Sequence, residues 1–329
     1  MNKKVTIKDV AKKSNVSVST VSRVMAGSDT ISERTTKKVL SVIKEMGYIP
    51  NATARSLANN KTNAIGIVMP SAKSHDLIYQ NQFYIEMLTE LSLFAENTKY
   101  YLITLMTSEK SEYTIIENIV NSKRVDGLIL LISRIEDENI KFLHKNKIPF
   151  VVIGNIKEEY KDRVFSVNND NEKISYSITK NLINNGYKKI LFIGGDRNLF
   201  VTNDRLSGFR KAFEDENLNL DPSYISYMKF SEQEAYNKVK GFDKKIDAIF
   251  TTDDIFAIGA KRAISDIPII GFNNSRLSKV YNVSTVDIKT RDMAKSAMEI
   301  LIEELEGKKV ENRNLLVPAE YVKRFNKKI

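Results

Sequence analysis

The chain has 329 residues, 42% of them hydrophobic, and carries 51 Lys and Arg against 41 Asp and Glu for a net charge of +10. That length suits two or three domains of globular composition, and no run nears the roughly 18 apolar residues of a membrane span. Cysteine is absent and histidine occurs only at His75 and His144, which excludes disulfides, thiolate nucleophiles and Cys/His zinc sites. The opening Met1-Asn2-Lys3-Lys4-Val5 lacks the apolar core of a signal peptide, so a cytoplasmic location without membrane attachment is expected. Residues 1–62 hold 12 basic and four acidic side chains, a net of +8, whereas the remaining 267 residues net only +2. A basic head on a nearly neutral body fits either a solvated Lys-rich terminus or a polyanion-binding module, and structure in the head distinguishes the two.

That structure is legible. Thr6-Ile7-Lys8-Asp9 forms a capping box, and Ile7, Val10 and Ala11 follow on one helical face. Ser14-Asn15-Val16 breaks the pattern, and Ser17 caps a second helix from Val18 to Met25, with Val21 and Val24 turned inward. Two short helices joined by a tight turn make a helix-turn-helix, whose second helix fits a major groove. Ser32 then caps a third helix carrying Val39, Val42, Ile43 and Met46 into the same small core, and Gly47 ends it.

The wording "TIKDVAKKSNVSVSTVSRVM" followed by "ISERTTKKVLSVIKEMGYIPNATARSLA" closely resembles the head of the lactose/purine repressor (LacI/GalR) family, without a gap through residues 5–58. The resemblance implies that Val18 and Ser19 read base edges, while Thr20, Ser22, Arg23 and Thr30 contact phosphates or adjacent bases; Thr6 and Ser17, the two caps, complete the DNA-facing set. Free N–H groups at a helix start favour phosphate, and Val18 suits a thymine methyl unless it packs inside. Residues 51–59 match the family's hinge helix. There Asn51 is the cap, Ala54 allows two copies to pack closely, and Leu57 wedges into the minor groove, unless it is merely an apolar linker residue. Residues 1–62 are therefore read as the DNA-binding domain and 63–329 as an effector-binding and dimerisation domain.

From Ala64 onward apolar runs alternate with helical patterns. Ile65–Met69, Tyr101–Met106, Gly127–Ile132 and Phe150–Ile153 read as strands, and a second series follows at Ile190–Ile193, Ile225–Met228, Ala248–Phe250 and Ile267–Phe272. Such alternation implies two doubly wound lobes of parallel sheet, lobe one at about 63–162 and 290–318, lobe two at about 163–289 and 319–329. A helix over Met293–Leu305 and an extended run over Leu315–Tyr321 are expected to cross back between them.

Ligands in such sheets bind at the carboxyl ends of strands, where Ser71, Asp253 and Asn273 fall. The body resembles the same family's sensor domain, akin to periplasmic sugar-binding proteins, more weakly per residue than the head. That resemblance makes Arg205, in "RLSGF", the clamp on the effector, and Asp253 the acceptor of its hydroxyls. Asn273 stands where several relatives have Asp, and Phe83 and Tyr84 are an aromatic pair at the cleft mouth. Without the resemblance, Asp253 reads as a helix cap, Phe83 as core and Arg205 as a surface ion pair. "GGDRNLFVTNDRLSGF", "NQFY" and "GFNNS" look most like the maltose-responsive branch, with Phe83, Tyr84, Phe200, Phe256 and Phe272 available to stack on a sugar ring.

The expected partners are palindromic operator DNA, a small-molecule effector such as a sugar, and a second copy of the chain; neither cofactor nor metal is called for. A different sugar or a purine as effector, or a phosphoprotein corepressor, is the alternative within the fold. No Walker motif, G-x-S-x-G or metal-ligand spacing supports an enzyme, and the basic head argues against a transport binding protein.

Overall fold

The two parts of the chain follow different rules of packing, helices on helices in residues Met1–Thr62 and helices on parallel sheet in Asn63–Ile329, which form two compact units. The computed structural model describes residues 5–25, 27–48, 61–70 and 82–325. The hinge residues Asn51, Ala54 and Leu57, and the strand-end residue Ser71, lie outside the described residues.

The head contains α1 (Ile7–Ser14), α2 (Val18–Met25) and α3 (Glu33–Met46). The capping box closes α1: the Thr6 N–H donates to Asp9 Oδ2 at 2.9 Å and the Asp9 N–H to Thr6 Oγ1 at 3.4 Å. Asn15, at φ 52°, ends the helix in the left-handed conformation that a short polar side chain tolerates. Ser17 Oγ accepts from the Thr20 N–H at 3.1 Å at the start of α2, and Ser32 Oγ from the Thr35 N–H at 3.4 Å at the start of α3. Val10, Ala11, Val21, Val24, Val39 and Val42 form the buried core, with Ile43 and Met46 packed around it. A core this small has room only for small apolar groups, and all six are Val or Ala.

The body's first sheet contains β1 (Ala64–Pro70), β2 (Tyr101–Thr107), β3 (Gly127–Leu130), β4 (Phe150–Ile153), β5 (Phe165–Asn168) and β11 (Asn314–Leu316), in the order β11-β5-β4-β3-β1-β2. Every pairing in it is parallel. Strands β1, β3 and β4 are covered on both faces, which is why they read as unbroken apolar runs, whereas the edge strand β2 leaves Tyr101 and Met106 exposed. The second sheet joins β6 (Ile190–Gly194), β7 (Ile225–Tyr227), β8 (Ala248–Thr251) and β9 (Ile269–Ile270) in the order β7-β6-β8-β9, again parallel. Beside it β10 (Thr285–Asp287) and β12 (Glu320–Val322) pair antiparallel.

The covering helices are α4 (Gln82–Ala95), α5 (Glu109–Asn121), α6 (Glu138–Lys145) and α12 (Thr290–Leu305) for the first lobe, and α7 (Asn171–Asn184), α8 (Phe200–Asp215), α9 (Glu232–Lys240), α10 (Asp254–Ala263) and the short α11 (Arg276–Val280) for the second. Helix α12 leaves the second lobe and buries Met293, Ala294, Ala297, Met298 and Leu301, one helical stripe, in the first lobe's core. Helices α7 and α8 approach so closely that a Cβ on Gly208 would lie 2.0 Å from the Glu172 carbonyl oxygen, which accounts for the glycine of "RLSGF".

One expectation needs correction. Phe165–Val167 pairs in register with Val151–Ile153, so the first lobe runs to the end of β5 at Asn168 instead of ending near 162; a strand of four residues carries too little pattern to announce itself. The extended run Leu315–Tyr321 crosses between the lobes, as expected. Its first part pairs with β5, its last with β10, and Pro318, which has no N–H to give a ladder, stands at the crossing.

Candidate nucleic-acid interface and effector cleft

In the head, Val10, Ser14, Val21 and Val24 are buried, and the residues expected to face DNA lie outside that core. Thr6, Ser17, Val18, Ser19, Ser22, Arg23 and Thr30 are exposed and Thr20 is half-buried. Val18 is 40% exposed, so it does not pack inside. Ser17 holds the hydroxyls of Ser19 and Thr20 at 2.7 and 2.8 Å, so three short polar side chains cluster at the α2 tip. Lys13 is paired with Glu45 on the opposite flank. A helix start bearing small hydroxyls, an exposed methyl pair and a cation one turn on can approach a groove floor while the cation meets the backbone.

In the body, a cleft of about 840 Å³ opens between the two lobes at the carboxyl ends of their strands, within the usual range for small-molecule sites. Phe83, Tyr84, Arg205, Asp253 and Asn273 all line it. Backbone bonds close one side: the Ile135 N–H donates to Asn198 O at 2.8 Å and the Phe200 N–H to Ser133 O at 3.2 Å, joining the lobes.

Arg205 is 5% exposed, and its guanidinium lies 3.8 Å over the Phe272 ring. Nε donates to Asn171 Oδ1 at 2.8 Å and Nη1 to the Thr252 carbonyl at 2.6 Å. Both acceptors are neutral, and among the described residues no carboxylate comes within ion-pair distance, so it is not a surface ion pair. Burial lowers its pKa to about 10, partly offset by the more distant Asp253 and Asp204, and it stays protonated at neutral pH.

Asp253 caps a helix and also lines the cleft. Oδ1 accepts from the Ile255 N–H at 2.9 Å and caps α10, while Oδ2 accepts from Asn273 Nδ2 at 2.7 Å beside the cleft. Burial lifts its carboxyl to about 7, with the cap bond working the other way and neighbouring Asp254 adding to the rise. The amide at Asn273 is thereby explained: it donates to Asp253, whereas a second carboxylate there would repel it. Asn273 has φ 101°, the left-handed side that Asn tolerates better than most residues. Asp254 turns away, accepting from the Ser275 N–H at 2.7 Å and the Thr285 hydroxyl at 2.5 Å, so the two aspartates do not form an acid–base pair.

Phe83 and Tyr84 meet edge to face with centroids 5.3 Å apart, and Phe83 also packs on the cores of both lobes. Burial raises the Tyr84 hydroxyl well above its ordinary value, which keeps it neutral. The expected stacking set needs revision. Phe256, itself fully buried, lines the cleft, but Phe200 and Phe272 do not, Phe272 lying beneath Arg205. In their place stand Tyr227, with Arg197 3.9 Å over its ring, and Phe230. Sequence reasoning also missed Asn168, Asn169 and Asn171, which line the cleft where the chain crosses between lobes; the cluster of amides in Asn168-Asn169-Asp170-Asn171 was the available signal. Among the described residues no helix is long and apolar enough to cross a membrane.

Comparison with known proteins agrees with this arrangement. The profile of bacterial regulatory proteins of the lacI family matches residues 6–51, and that of the periplasmic binding protein-like domain matches residues 179–325. The HTH-type transcriptional regulator MalR of Streptococcus pneumoniae serotype 4 is 36% identical over 308 residues, 91% of this chain and 92% of that protein. The lac repressor dimer bound to operator and the anti-inducer ONPF shares the fold with a TM-score of 0.83 at 22% identity, over 98% of each chain. The CelR–cellobiose complex does so with a TM-score of 0.72 at 23% identity, over 97% of this chain and 99% of that one. A capped trihelical head, a two-lobed parallel-sheet body and identity sustained along nine-tenths of the length of a curated regulator lead to one conclusion: the chain belongs to the lacI family of bacterial regulatory proteins and is a DNA-binding transcriptional regulator, not an enzyme.

Proposed function

We propose that this regulator is a repressor that binds a palindromic operator as a homodimer and loosens its hold when a sugar, maltose or a related glucoside, occupies the cleft. The observation that carries the DNA half is the exposed α2 tip, with Val18, Ser19 and Arg23 outward on a head of net charge +8. One such helix covers half a palindrome, so a second copy completes the site. The exposed apolar side chains Ile85, Leu93, Tyr101 and Met106 on α4 and β2 offer a surface for that copy.

The sugar half rests on the cleft's chemistry. A guanidinium bonded to neutral acceptors, a carboxyl group and an amide converge there beside aromatic faces, and this suits a ligand with hydroxyls around an apolar ring face. The MalR relative and the CelR–cellobiose neighbour point the same way. An effector that prefers the closed body lowers operator affinity by its differential binding, commonly about 1–3 kcal/mol.

Binding of the full chain to a palindromic duplex, measured against salt with and without maltose, tests both halves. Affinity should fall steeply with salt as phosphate neutralisation requires, and drop roughly 5–150-fold on adding maltose. Calorimetry with maltose, other disaccharides and purines separates effectors; no heat with any glucoside removes the sugar reading.

A further inference from the structure

Three chain segments join the lobes, following β5, β10 and β11, and one side-chain amide holds all three together. Asn169 is 3% exposed, and its Nδ2 donates to the Ile288 carbonyl at 3.0 Å and the Val317 carbonyl at 2.9 Å. The Val317 N–H returns to the Asn168 carbonyl at 2.8 Å. Two residues on, Asn171 is 4% exposed and faces both ways. Its Nδ2 donates to Asn168 Oδ1 at 3.1 Å and to the Asn169 carbonyl at 3.2 Å, and its Oδ1 accepts from Arg205 Nε at 2.8 Å. A continuous run of hydrogen bonds therefore leads from the cleft arginine in the second lobe to the bundle of crossovers that joins the lobes.

Joining two lobes does not by itself require this. Backbone alone can cross, and burying an amide is unfavourable unless its bonds are met, as they are here. The placement is also economical in degrees of freedom. Asn171 opens α7, and only Asn169 and Asp170 separate β5 from that helix, so a shift of the Asn171 side chain would act on the helix and on the crossover together.

We infer that Asn169 and Asn171 are positioning residues that couple Arg205 to the interlobe hinge, so that a ligand drawing on the guanidinium resets the angle at which the three crossovers pass. This rests on the reading of the cleft as the effector site. The relay is a coupling between groups, and a double-mutant cycle measures it.

The decisive experiment uses the full-length protein without ligand and follows hydrogen exchange at the Val317 amide in the wild type, Arg205→Gln, Asn171→Ala and the double variant. The expected result is that Arg205→Gln speeds exchange at Val317 at least five-fold in the wild-type background and less than two-fold when Asn171 is already Ala. Equal acceleration in both backgrounds, or none in either, overturns the inference. Asn171→Asp provides a second reading, because it keeps the acceptor for Arg205 Nε but loses the donors to Asn168 and Asn169. With maltose as probe, its operator response should fall at least ten-fold more than its maltose affinity; a proportionate fall marks Asn171 as a binding contact only and also overturns the inference. If Asn171→Ala does not fold, Asn168→Ala, which removes only the Oδ1 acceptor, replaces it in the cycle. The exchange measurements need no sugar, so they decide the relay even where maltose proves not to be the effector.

Discussion

Asp253 lines the cleft with one oxygen capping α10, the other accepting from Asn273, and a carboxyl raised by burial to about 7. An unperturbed aspartate titrates near 3.9. Between about pH 4 and pH 7 the folded protein thus holds a proton that the unfolded chain has released. The folded state binds more protons there, so this group's contribution to stability is greatest below pH 4 and falls as pH rises to 7. At ~1.4 kcal/mol per unit of displacement, the loss between pH 5 and pH 8 comes to about 2.5 kcal/mol. That figure is a ceiling, because the carboxyl borders an open cleft and keeps some contact with water.

Asp253→Asn removes the titration and keeps the cap, since the new amide oxygen can still accept from Ile255, and the Asn273 amide can turn its own oxygen to meet the new Nδ2. Urea unfolding of the ligand-free protein at pH 5, 6, 7 and 8, followed by far-UV circular dichroism through the larger unit's transition, provides the assay. The variant should gain on the wild type by up to about 2.5 kcal/mol across that range, most of it below pH 7. Asp137, Asp204 and Glu86 are also raised by burial, but they are common to both proteins and drop out of the difference. Parallel stability curves would refute the reasoning.

Three further outcomes are expected. Arg23→Ala should weaken operator and random duplex alike and reduce the salt slope by roughly one, whereas exchanging Val18 or Ser19 should change which operator is preferred; binding titrations on a panel of duplexes separate the two effects. Leu57→Ala should reduce operator bending, read by gel mobility of permuted fragments, more than it reduces non-specific affinity, and unchanged bending counts against a wedge. Gly208→Ala places a Cβ 2.0 Å from the Glu172 carbonyl, so α7 and α8 must separate; a loss of about 1–3 kcal/mol and a melting point lower by several degrees should follow.

The head was readable almost residue by residue, because its determinants are local. Thr6, Asp9, Ser17, Ser32 and Gly47 act within a few positions of themselves, and the 3.6-residue spacing of Val10, Val21, Val24, Val39 and Val42 leaves one way to close so small a core. The doubly wound body followed from its apolar runs, and the cleft from the polar residues at their ends. What failed was tied to few residues or to distant partners. β5 is four residues long, with nothing to mark it until β4 and β11 lie beside it. Phe272 looked available to a ligand, yet the packing of Phe192, Phe209 and Phe250 draws it into the core and leaves Arg205 stacked above it.

By itself the sequence determined the helix-turn-helix, its outward side chains and the two-lobed parallel architecture, since caps, turns and periodicity are short-range properties of the chain. Only the tertiary structure decided which polar side chains converge on the cleft, that Asp253 and Asp254 face different neighbours, and that Asn169 reaches both Ile288 and Val317. Those outcomes depend on burial and on contacts between residues 20 to 148 positions apart, where the energy of a hydrogen bond is set by what surrounds it and not by what precedes it in the chain.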